Sequence, residues 1–403
     1  MSATATTAAP AATRIPPVAP AVEIDPEHPL AHLSEAQLEQ LGRELDAIHE
    51  DVFAQLGERD SRYIRRVIRA QRQLALSGRA LLVGSRLWPL WLAGTCALSI
   101  AKVLENMEIG HNVMHGQWDW MNDPDINSQT WDWDTASPAD AWRHSHNYEH
   151  HTFTNILGKD RDLGYEIMRI DPRQRWYPVY LLQPLYNLVL MGFFEWGVAL
   201  HDINFDAVRA GEKPKEQVVA ELKAIGLKAR RQIVKDYVAF PLLSGALAAA
   251  LGGRSAGRRT IGATLAANFT ANIVRNVWAH SIIFCGHFPE QTYTFTSEDA
   301  AEESRGGWYV RQLLGSANIE GGALFHLMAG NLSFQVEHHL FPDMPSSRYV
   351  EVAPQVRELC ARYGLPYNTG PLRKQLGSVH RTILRLAFPG GRPGRAQAPA
   401  PMH

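Results

Sequence analysis

The sequence predicts an all-α protein, an integral membrane bundle of about four transmembrane helices with a helical, histidine-rich cap on one side of the membrane. Three observations favour this fold. Long uncharged segments alternate with polar ones, and tryptophan and tyrosine residues lie at the segment ends, as is typical of membrane interfaces. Eight of the 17 histidines fall in three short windows. Because neutral imidazole is the commonest metal ligand, this clustering predicts a metal site.

The composition excludes several classes of function. The 403 residues carry a net charge of −1, which gives no reason to expect nucleic acid as a partner. Cys96, Cys285 and Cys360 are far apart, so neither a disulfide framework nor a cysteine-ligated iron–sulfur cluster is expected. The sequence contains neither a dinucleotide-binding glycine motif nor a P-loop. Any redox chemistry must therefore take its electrons from another protein.

The N-terminal part is predicted to be a tail followed by polar helices. Residues 1–24 are rich in Ala, Thr and Pro and are expected to be disordered. Residues 25–78 are expected to form cytoplasmic or interfacial helices. The pattern Ser34-Glu-Ala-Gln37 is a capping box, which predicts the start of a helix that ends near Leu56.

A second helix is predicted to start near Ser61 and to carry a basic face. Its arginines step by three and four residues and so share one side of the helix: Arg62, Arg65, Arg69 and Arg72. Such a face suits an anionic membrane surface. The alternative is the solvated face of an ordinary soluble helix.

Residues 79–370 are predicted to form the membrane domain. Four apolar segments lie in or across it: Leu87–Ala101, Trp176–Phe194, Tyr237–Gly253 and Thr260–Pro289. The histidine windows can share one site only if an even number of crossings separates them. We therefore assign 235–253 and 260–282 as crossings, and we place 176–202 in or under the membrane interface.

Two further regions complete the expected organisation. Residues 74–110 are expected to contain a short hairpin around Pro89. Residues 371–403 are expected to form a C-terminal helix and a disordered Gly/Pro/Ala tail. The histidine windows and the basic loop 223–235 are expected on the cytoplasmic face.

The spacing of the histidines predicts two metal ions with mostly nitrogen ligands. Pairs separated by four residues point the same way on a helix, and imidazole suits iron, zinc and copper. The predicted ligands are His111, His115, His146, His150, His151, His280, His338 and His339. Further candidates, as ligands or as hydrogen-bond partners of ligands, are Asn276, Gln335, His144, His326 and Glu108. Any one of these residues taken alone could equally be structural.

Three sequence motifs together resemble the histidine boxes of the membrane fatty acid desaturases, and most closely those of the bacterial acyl-CoA and acyl-lipid enzymes. The motifs are Gly110-His-Asn-Val-Met-His115, His146-Asn-Tyr-Glu-His-His-Thr-Phe-Thr-Asn155 with Gly158-Lys-Asp-Arg-Asp162, and Gln335-Val-Glu-His-His-Leu-Phe-Pro342. The glutamine that opens the third box is similar to that of the front-end and related acyl-lipid enzymes.

The resemblance implies an O₂-dependent enzyme that introduces a cis double bond into an acyl chain of an acyl-CoA or acyl-lipid. It implies two iron ions held by the histidines on the cytoplasmic side of a membrane, the bacterial inner membrane. The electrons would come from a ferredoxin- or flavodoxin-type reductase. Glu108 would be a neighbouring acid rather than a metal ligand.

Two alternatives remain open at this stage. The first is a hydroxylase or ketolase built on the same boxes, in which the oxygen ends in the product. The second is a non-catalytic membrane protein that binds a metal such as zinc. The sequence gives no regiospecificity, head group, electron donor identity or oligomeric state.

Overall fold

The computed structural model describes residues 33–301 and 303–391, so the tail expected at 1–24 and the last residues of the C-terminal tail lie outside the described residues. Within these ranges the chain is mostly helical, as expected for an all-α protein. One short parallel pair departs from that expectation, in which β1, Asn318–Glu320, pairs with β2, Thr369–Pro371.

The first helix, α1, spans Glu35–Ala54 and begins with the predicted capping box. The Ser34 side chain accepts a hydrogen bond from the Gln37 backbone N–H, and the Gln37 side chain accepts one from Ser34 N. The second helix, α2, spans Glu58–Val83 and so begins slightly before the predicted start near Ser61. Its predicted arginine face is exposed to solvent.

The second half of α2 and helix α3, Trp88–Leu104, form the hairpin expected between residues 74 and 110. Pro89 lies in the first turn of α3, where a missing N–H has no cost. The two helices approach closely where glycines face each other, since a Cβ atom on Gly78 would lie 3.0 Å from the carbonyl oxygen of Gly94. The chain therefore turns back at residues 84–87.

A second hairpin follows from a break in one long helix. Helix α9 spans Phe240–His287 and loses helical geometry at Gly252 and Gly253, where Gly253 has φ +79°. The two arms pack closely, since a Cβ atom on Gly257 would lie 2.7 Å from Gly245 O. The break falls at the end of the first segment predicted as a crossing, 235–253, and before the second, 260–282. Arg86 in the first turn lies beside Gly252, so the two hairpins turn at the same end of a four-helix bundle.

Of the residues that the structure describes, one helical run is long and apolar enough to cross a membrane. It extends from Lys215 to His287. Only 28% of its most apolar window is buried inside the protein, whereas the core helix of a soluble protein would be mostly buried. Four transmembrane helices are not established by this criterion.

Shorter helices surround the bundle and build the cap. In chain order with the helices above they are α4 Ala139–Trp142, α5 Gln183–Gly192, α6 Phe194–His201, α7 Phe205–Ala210, α8 Lys215–Ile233, α10 Arg305–Gly315, α11 Ala323–Met328, α12 Gln335–Leu340, α13 Tyr349–Tyr363 and α14 Leu372–Leu386. With 10 residues, α5 is about 15 Å long, too short to cross a bilayer. This length suits the interfacial placement expected for 176–202.

A buried apolar core fixes the cap and the third histidine box within it. Helices α1, α10, α12 and α13 contribute fully buried side chains to this core, among them Leu41, Leu314, Val336 and Tyr349. Burial of Val336 on α12 holds the box that begins at Gln335 against the rest of the cap. A second core joins the end of α9 to α5 and α14.

Candidate metal centre

Two of the histidine boxes lie on wide helical turns. α3 continues into a π-helical turn over Glu105–His111, and α4 continues into another over Arg143–His150. Single π-turns inside α-helices are frequent at functional sites. Here they contain His111, His146 and His150 themselves.

Four histidines from three segments form a first group. Candidate ligand atoms of His111, His115, His146 and His338 all lie within 4.8 Å of one another. The ring centroids of His111 and His338 are 5.0 Å apart, and those of His115 and His146 are 5.2 Å apart. Residues far apart in the sequence therefore converge on one point.

A second group lies beside the first. His150, His287 and His339 also offer ligand atoms within 4.8 Å of one another, and all three are buried. Nε2 of His287 lies 3.1 Å from Nε2 of His339. His151 lies between the groups, with ring centroids 4.7 Å from His115 and 4.5 Å from His339.

The nitrogen atoms of the two groups fit a metal. Among the described residues no hydrogen-bond partner is found for Nε2 of His115, His146 and His338, or for either nitrogen of His151. Buried polar atoms without partners are rare and costly, and a metal ion would satisfy them. The donor set is rich in imidazole and contains no cysteine, which suits iron, zinc or copper.

Burial keeps the rings in the form that binds a metal. It lowers the pKa of His111 to about 3, and it lowers the pKa values of His115, His151, His338 and His339 well below the ordinary value. These imidazoles are therefore neutral at pH 7 and have a free lone pair, as metal binding requires.

Carboxylates that accept hydrogen bonds from Nδ1 of His146 and His150 fix the orientation of these two rings. Nδ1 of His150 lies 3.0 Å from both carboxylate oxygens of Asp160, and Nδ1 of His146 lies 3.0 Å from Asp162. Asp160 in turn accepts hydrogen bonds from the backbone N–H groups of Asn155 and Asp162. Such partners leave the other ring nitrogen directed at the metal.

Seven of the eight predicted ligands meet in these groups, and His280 does not. Its Nε2 lies 3.1 Å from Asn187 Oδ1, and its ring stacks on Phe284 with centroids 3.7 Å apart. The reason is its position on α9, because it lies two turns before the helix end that reaches the cluster. His287 occupies that end and lies beside His150 and His339, whereas His280 lies outside both groups.

The further candidates divide between the cluster and its surroundings. Gln335 touches the cluster, with Nε2 2.9 Å from His287 Nε2, and its buried Oε1 has no hydrogen-bond partner among the described residues. Asn276 instead donates to Gly192 O at 3.0 Å and accepts from Arg275. It therefore helps to build the wall of the site.

The remaining three candidates lie outside both groups. His144 is exposed and stacks on Tyr148. His326 lies 2.7 Å from Ser333 Oγ and stacks on Phe334. Glu108 is buried and accepts hydrogen bonds from the groups that surround it, which are the Tyr63 and Ser346 hydroxyls and the Asn331 amide. Burial raises the pKa of Glu108 to about 7.

Sequence reasoning missed His287 and His201. His287 belongs to none of the three windows, although its position two turns after His280 was a visible signal. His201 stands alone in the sequence, yet it is buried and its Nε2 lies 3.1 Å from Asp162 Oδ1. Asp162 therefore bridges His146 and His201.

A cavity of about 60 Å³ opens beside the first group. Aromatic and aliphatic side chains contribute much of its wall, among them Trp133, Trp142, Phe194 and Ile283, while His111 and His146 also line it. A mostly apolar cavity that touches candidate metal ligands is typical of a site for a small apolar ligand.

Comparison with known families decides the class of this site. The sequence model of the family described as "Fatty acid desaturase" matches residues 86–371, which include all three histidine boxes. This chain belongs to the fatty acid desaturase family. It is therefore an enzyme of lipid metabolism, and the resemblance drawn from the boxes is confirmed.

Relatives of established name agree with that assignment. The desaturase is 48% identical over 359 residues, 89% of this chain and 82% of the relative, to the NADPH-dependent stearoyl-CoA 9-desaturase of Mycobacterium tuberculosis. It is 26% identical over 297 residues, 72% of this chain and 78% of the relative, to the sn-1 linoleoyl-lipid 6-desaturase of Synechocystis. Fatty acid desaturase 3 of Bos taurus is 26% identical over 328 residues, 77% of this chain and 65% of the relative.

Proposed function

We propose that this desaturase introduces a cis double bond into the acyl chain of an acyl-CoA, with two irons held by the histidine cluster and electrons from a separate reductase. The carrying observation is the pair of adjacent histidine groups, which converge from distant parts of the chain beside an apolar cavity. The 48% identity to a relative named as a stearoyl-CoA desaturase favours a CoA thioester over a glycerolipid. Gln335 is the feature shared with acyl-lipid enzymes.

The residues that would hold the irons come from both groups. One ion would be bound by the first group, and the other by the second: His111, His115, His146 and His338, and His150, His287 and His339. His151 lies within reach of either group. An unactivated methylene offers neither an acidic proton nor a leaving group, so acid–base chemistry cannot cleave it. When bound, the iron pair supplies the oxidising power for that step with O₂.

The protein's own residues would supply orientation and exclusion of water. Asp160 and Asp162 fix the rings of His150 and His146. Gln312 does the same for His339, since its Oε1 lies 2.9 Å from Nδ1. Trp142, which lines the cavity, stacks on His146 with centroids 4.6 Å apart and would help to keep water from the reacting carbons. The acyl chain would lie along the cavity, with the reacting carbons next to His111 and His146.

The two hairpins support a proposal for the membrane topology. We place four helical crossings in the bundle, with both hairpin turns on the far side and the metal centre on the cytoplasmic side of a bacterial inner membrane. Large apolar side chains on the outside of the bundle support this placement, because water would not favour them: Leu76, Leu92, Leu243, Leu247, Leu251 and Phe269.

The electron donor would be a ferredoxin- or flavodoxin-type reductase that docks on the cytoplasmic face. The chain has no nucleotide-binding motif of its own, and the mycobacterial relative is named as NADPH-dependent. Arg230 and Arg231 are exposed at the end of α8 and are available to an acidic partner. Lys228 and Arg143 instead pair with Asp132 and Asp140.

The test is a product analysis with purified enzyme, stearoyl-CoA, NADPH and a reconstituted reductase. We expect about two irons per chain and one new double bond by gas chromatography with mass spectrometry. A hydroxylated product without a double bond would favour the hydroxylase alternative. Turnover of a phospholipid-bound acyl chain, with none of the CoA thioester, would contradict the proposed substrate class. A protein that holds zinc alone and remains inactive after iron loading would contradict the iron assignment.

A further inference from the structure

The cavity beside the cluster has two chemically different ends. Its lining includes His111 and His146 at one end and Arg275 with Glu195 at the other. Arg275 and Ile283 both line the cavity from the unbroken second arm of α9, and Ile283 also lies among the histidines. They are eight residues apart, which at 1.5 Å per residue is about 12 Å along the helix axis. The cavity thus leads away from the candidate ligands towards a pair of charged side chains.

A buried ion pair closes the far end. Arg275 is 1% exposed, and its guanidinium forms an ion pair with the Glu195 carboxylate. Gln232 Nε2 donates to Glu195 Oε2 at 2.7 Å, and Arg275 Nη1 donates to the carbonyl oxygen of Asp134 at 3.0 Å. The pair therefore joins α6, α8, α9 and the loop between the first two boxes. Separating two buried charges leaves each without a partner, so an entering methyl group cannot part them.

The side chains that line the cavity between this ion pair and the histidines are mostly apolar and differ in size. Ala279 and Ile283 follow Arg275 by one and two helical turns on the same face of α9. Phe194 and Val198 face the cavity from α6. Ala279 is the smallest of these side chains and lies nearest the ion pair along the helix, so it leaves the deepest part of the cavity open.

We infer that the Arg275–Glu195 pair is the closed end of the acyl cavity, and that its separation from the histidine cluster sets the length of acyl tail beyond the reacting carbons. The inference rests on the proposed function, because it takes the ligand of the cavity to be an acyl chain. Each methylene of the acyl chain that fits between the histidines and the ion pair is transferred out of water, which favours binding. A longer chain would bring its terminal methyl group against the buried charges, which cannot be separated without a large cost.

Substitutions in the wall should change the preferred chain length in opposite directions. Ala279→Leu fills the deep end, so we expect kcat/KM for the longest acyl-CoA that the native enzyme accepts to fall about tenfold relative to a shorter one. Val198→Ala widens the cavity and should raise the relative kcat/KM of longer chains. Val277→Leu is the control, because Val277 lies on α9 but is exposed on its outer face.

A double variant tests the ion pair itself. Glu195→Leu with Arg275→Met replaces both charges by shorter apolar side chains, and removing a buried pair completely is tolerated better than removing one partner. The deeper cavity should accept longer acyl chains than the native enzyme accepts. If the double variant is not recovered in folded form, Ala279→Leu and Val198→Ala still test the assignment of the closed end, because they should shift the chain-length preference in opposite directions.

The measurement uses the full-length enzyme with a reconstituted reductase and saturated acyl-CoAs of increasing length. A native enzyme that desaturates none of them would refute the proposed function. A native enzyme that is active, with cavity variants that keep its chain-length preference, would overturn the assignment of the closed end. Opposite shifts in Ala279→Leu and Val198→Ala, with none in Val277→Leu, would establish it.

Discussion

At the scale of single residues, the two histidines at the end of α9 have different surroundings. His287 faces two other imidazoles and Gln335, whereas His280 has an amide partner and an aromatic neighbour. A ring among other rings suits a metal, whereas Nε2 of His280 already has the amide oxygen of Asn187 as its partner. The same residue type therefore has two different environments two turns apart.

Replacing each histidine separately should expose this difference. His287→Ala is expected to lose bound iron and to reduce activity by at least about 100-fold. Loss of a metal ligand should reduce activity at least as much as loss of a residue that hydrogen-bonds to a ligand. His280→Ala should keep its iron and lose about 1–3 kcal/mol of stability, since Asn187 Oδ1 is left without a partner. Iron content and thermal unfolding of both variants provide the measurements. Iron loss in His280→Ala alone would reverse the assignment.

Asp160 should act through the orientation of His150. Asp160→Asn removes one acceptor oxygen from a group that holds the ring and two backbone N–H groups, so we expect iron affinity or activity to fall 10- to 100-fold. Asp140→Asn is the matched control, because Asp140 is almost fully exposed. Competition with a chelator measures the affinity. Equal chelator sensitivity in the two variants would show that Asp160 has no such role.

The sequence predicted seven members of the cluster because their spacing is local. Pairs such as His111 with His115 lie on one helical face wherever the helix is placed. His287 stands alone in the sequence and reaches the cluster only through the packing of α9 against the cap. No local pattern separates it from His280, and both end an apolar run.

At the scale of elements, a buried charge pair ties the first turn of α2 to the cap. Arg348 donates to both carboxylate oxygens of Asp60, with Nε–Oδ1 2.7 Å and Nη2–Oδ2 2.8 Å. Both side chains are buried. The pair links the helix that leads into the four-helix bundle to the segment just after the third histidine box.

Removing Arg348 should therefore loosen the cap from the bundle. Arg348→Met leaves Asp60 buried without its partner and is expected to lower the free energy of unfolding by about 3–5 kcal/mol. Arg59→Met breaks the exposed ion pair with Glu351 and should cost at most about 1 kcal/mol. Chemical denaturation of the two variants in detergent measures the difference. Similar losses would mean that burial of the Asp60 pair has no special importance.

Elements with a local chemical signature were predictable, and those without one were not. The capping box at Ser34 gave the start of α1, and Pro89 gave the hairpin before α3. The π-helical turns over Glu105–His111 and Arg143–His150 have no such signature, because a wider turn depends on what the side chains pack against. The β1–β2 pair joins segments about fifty residues apart and also escaped prediction.

At the scale of the whole molecule, the two hairpins set the topology. Both turns lie at the end of the bundle away from the histidines, so the cluster segments share one side. Arg254, Arg258 and Arg259 lie just after the second turn, against the usual preference of basic residues for the cytoplasmic side. Accessibility of the two ends therefore provides a decisive test.

Single cysteines introduced into a Cys96→Ala background should show which side of the membrane each end of the bundle faces. Ser255→Cys, beside the second hairpin turn, is expected to react with a membrane-impermeant thiol reagent on intact cells. Lys223→Cys, on exposed α8, should react only after lysis. Mass-shift labelling measures both. Labelling of Lys223→Cys on intact cells, with protection of Ser255→Cys, would invert the proposed orientation.

The candidate ligands are distributed over four stretches of chain between His111 and His339. During synthesis, the first two boxes leave the ribosome long before the third, and both hairpins are made before His338 and His339 appear. A nascent or truncated polypeptide therefore never holds a complete set of ligands. Each of the two groups becomes complete only after translation has passed the last box, because His338 belongs to the first group and His339 to the second.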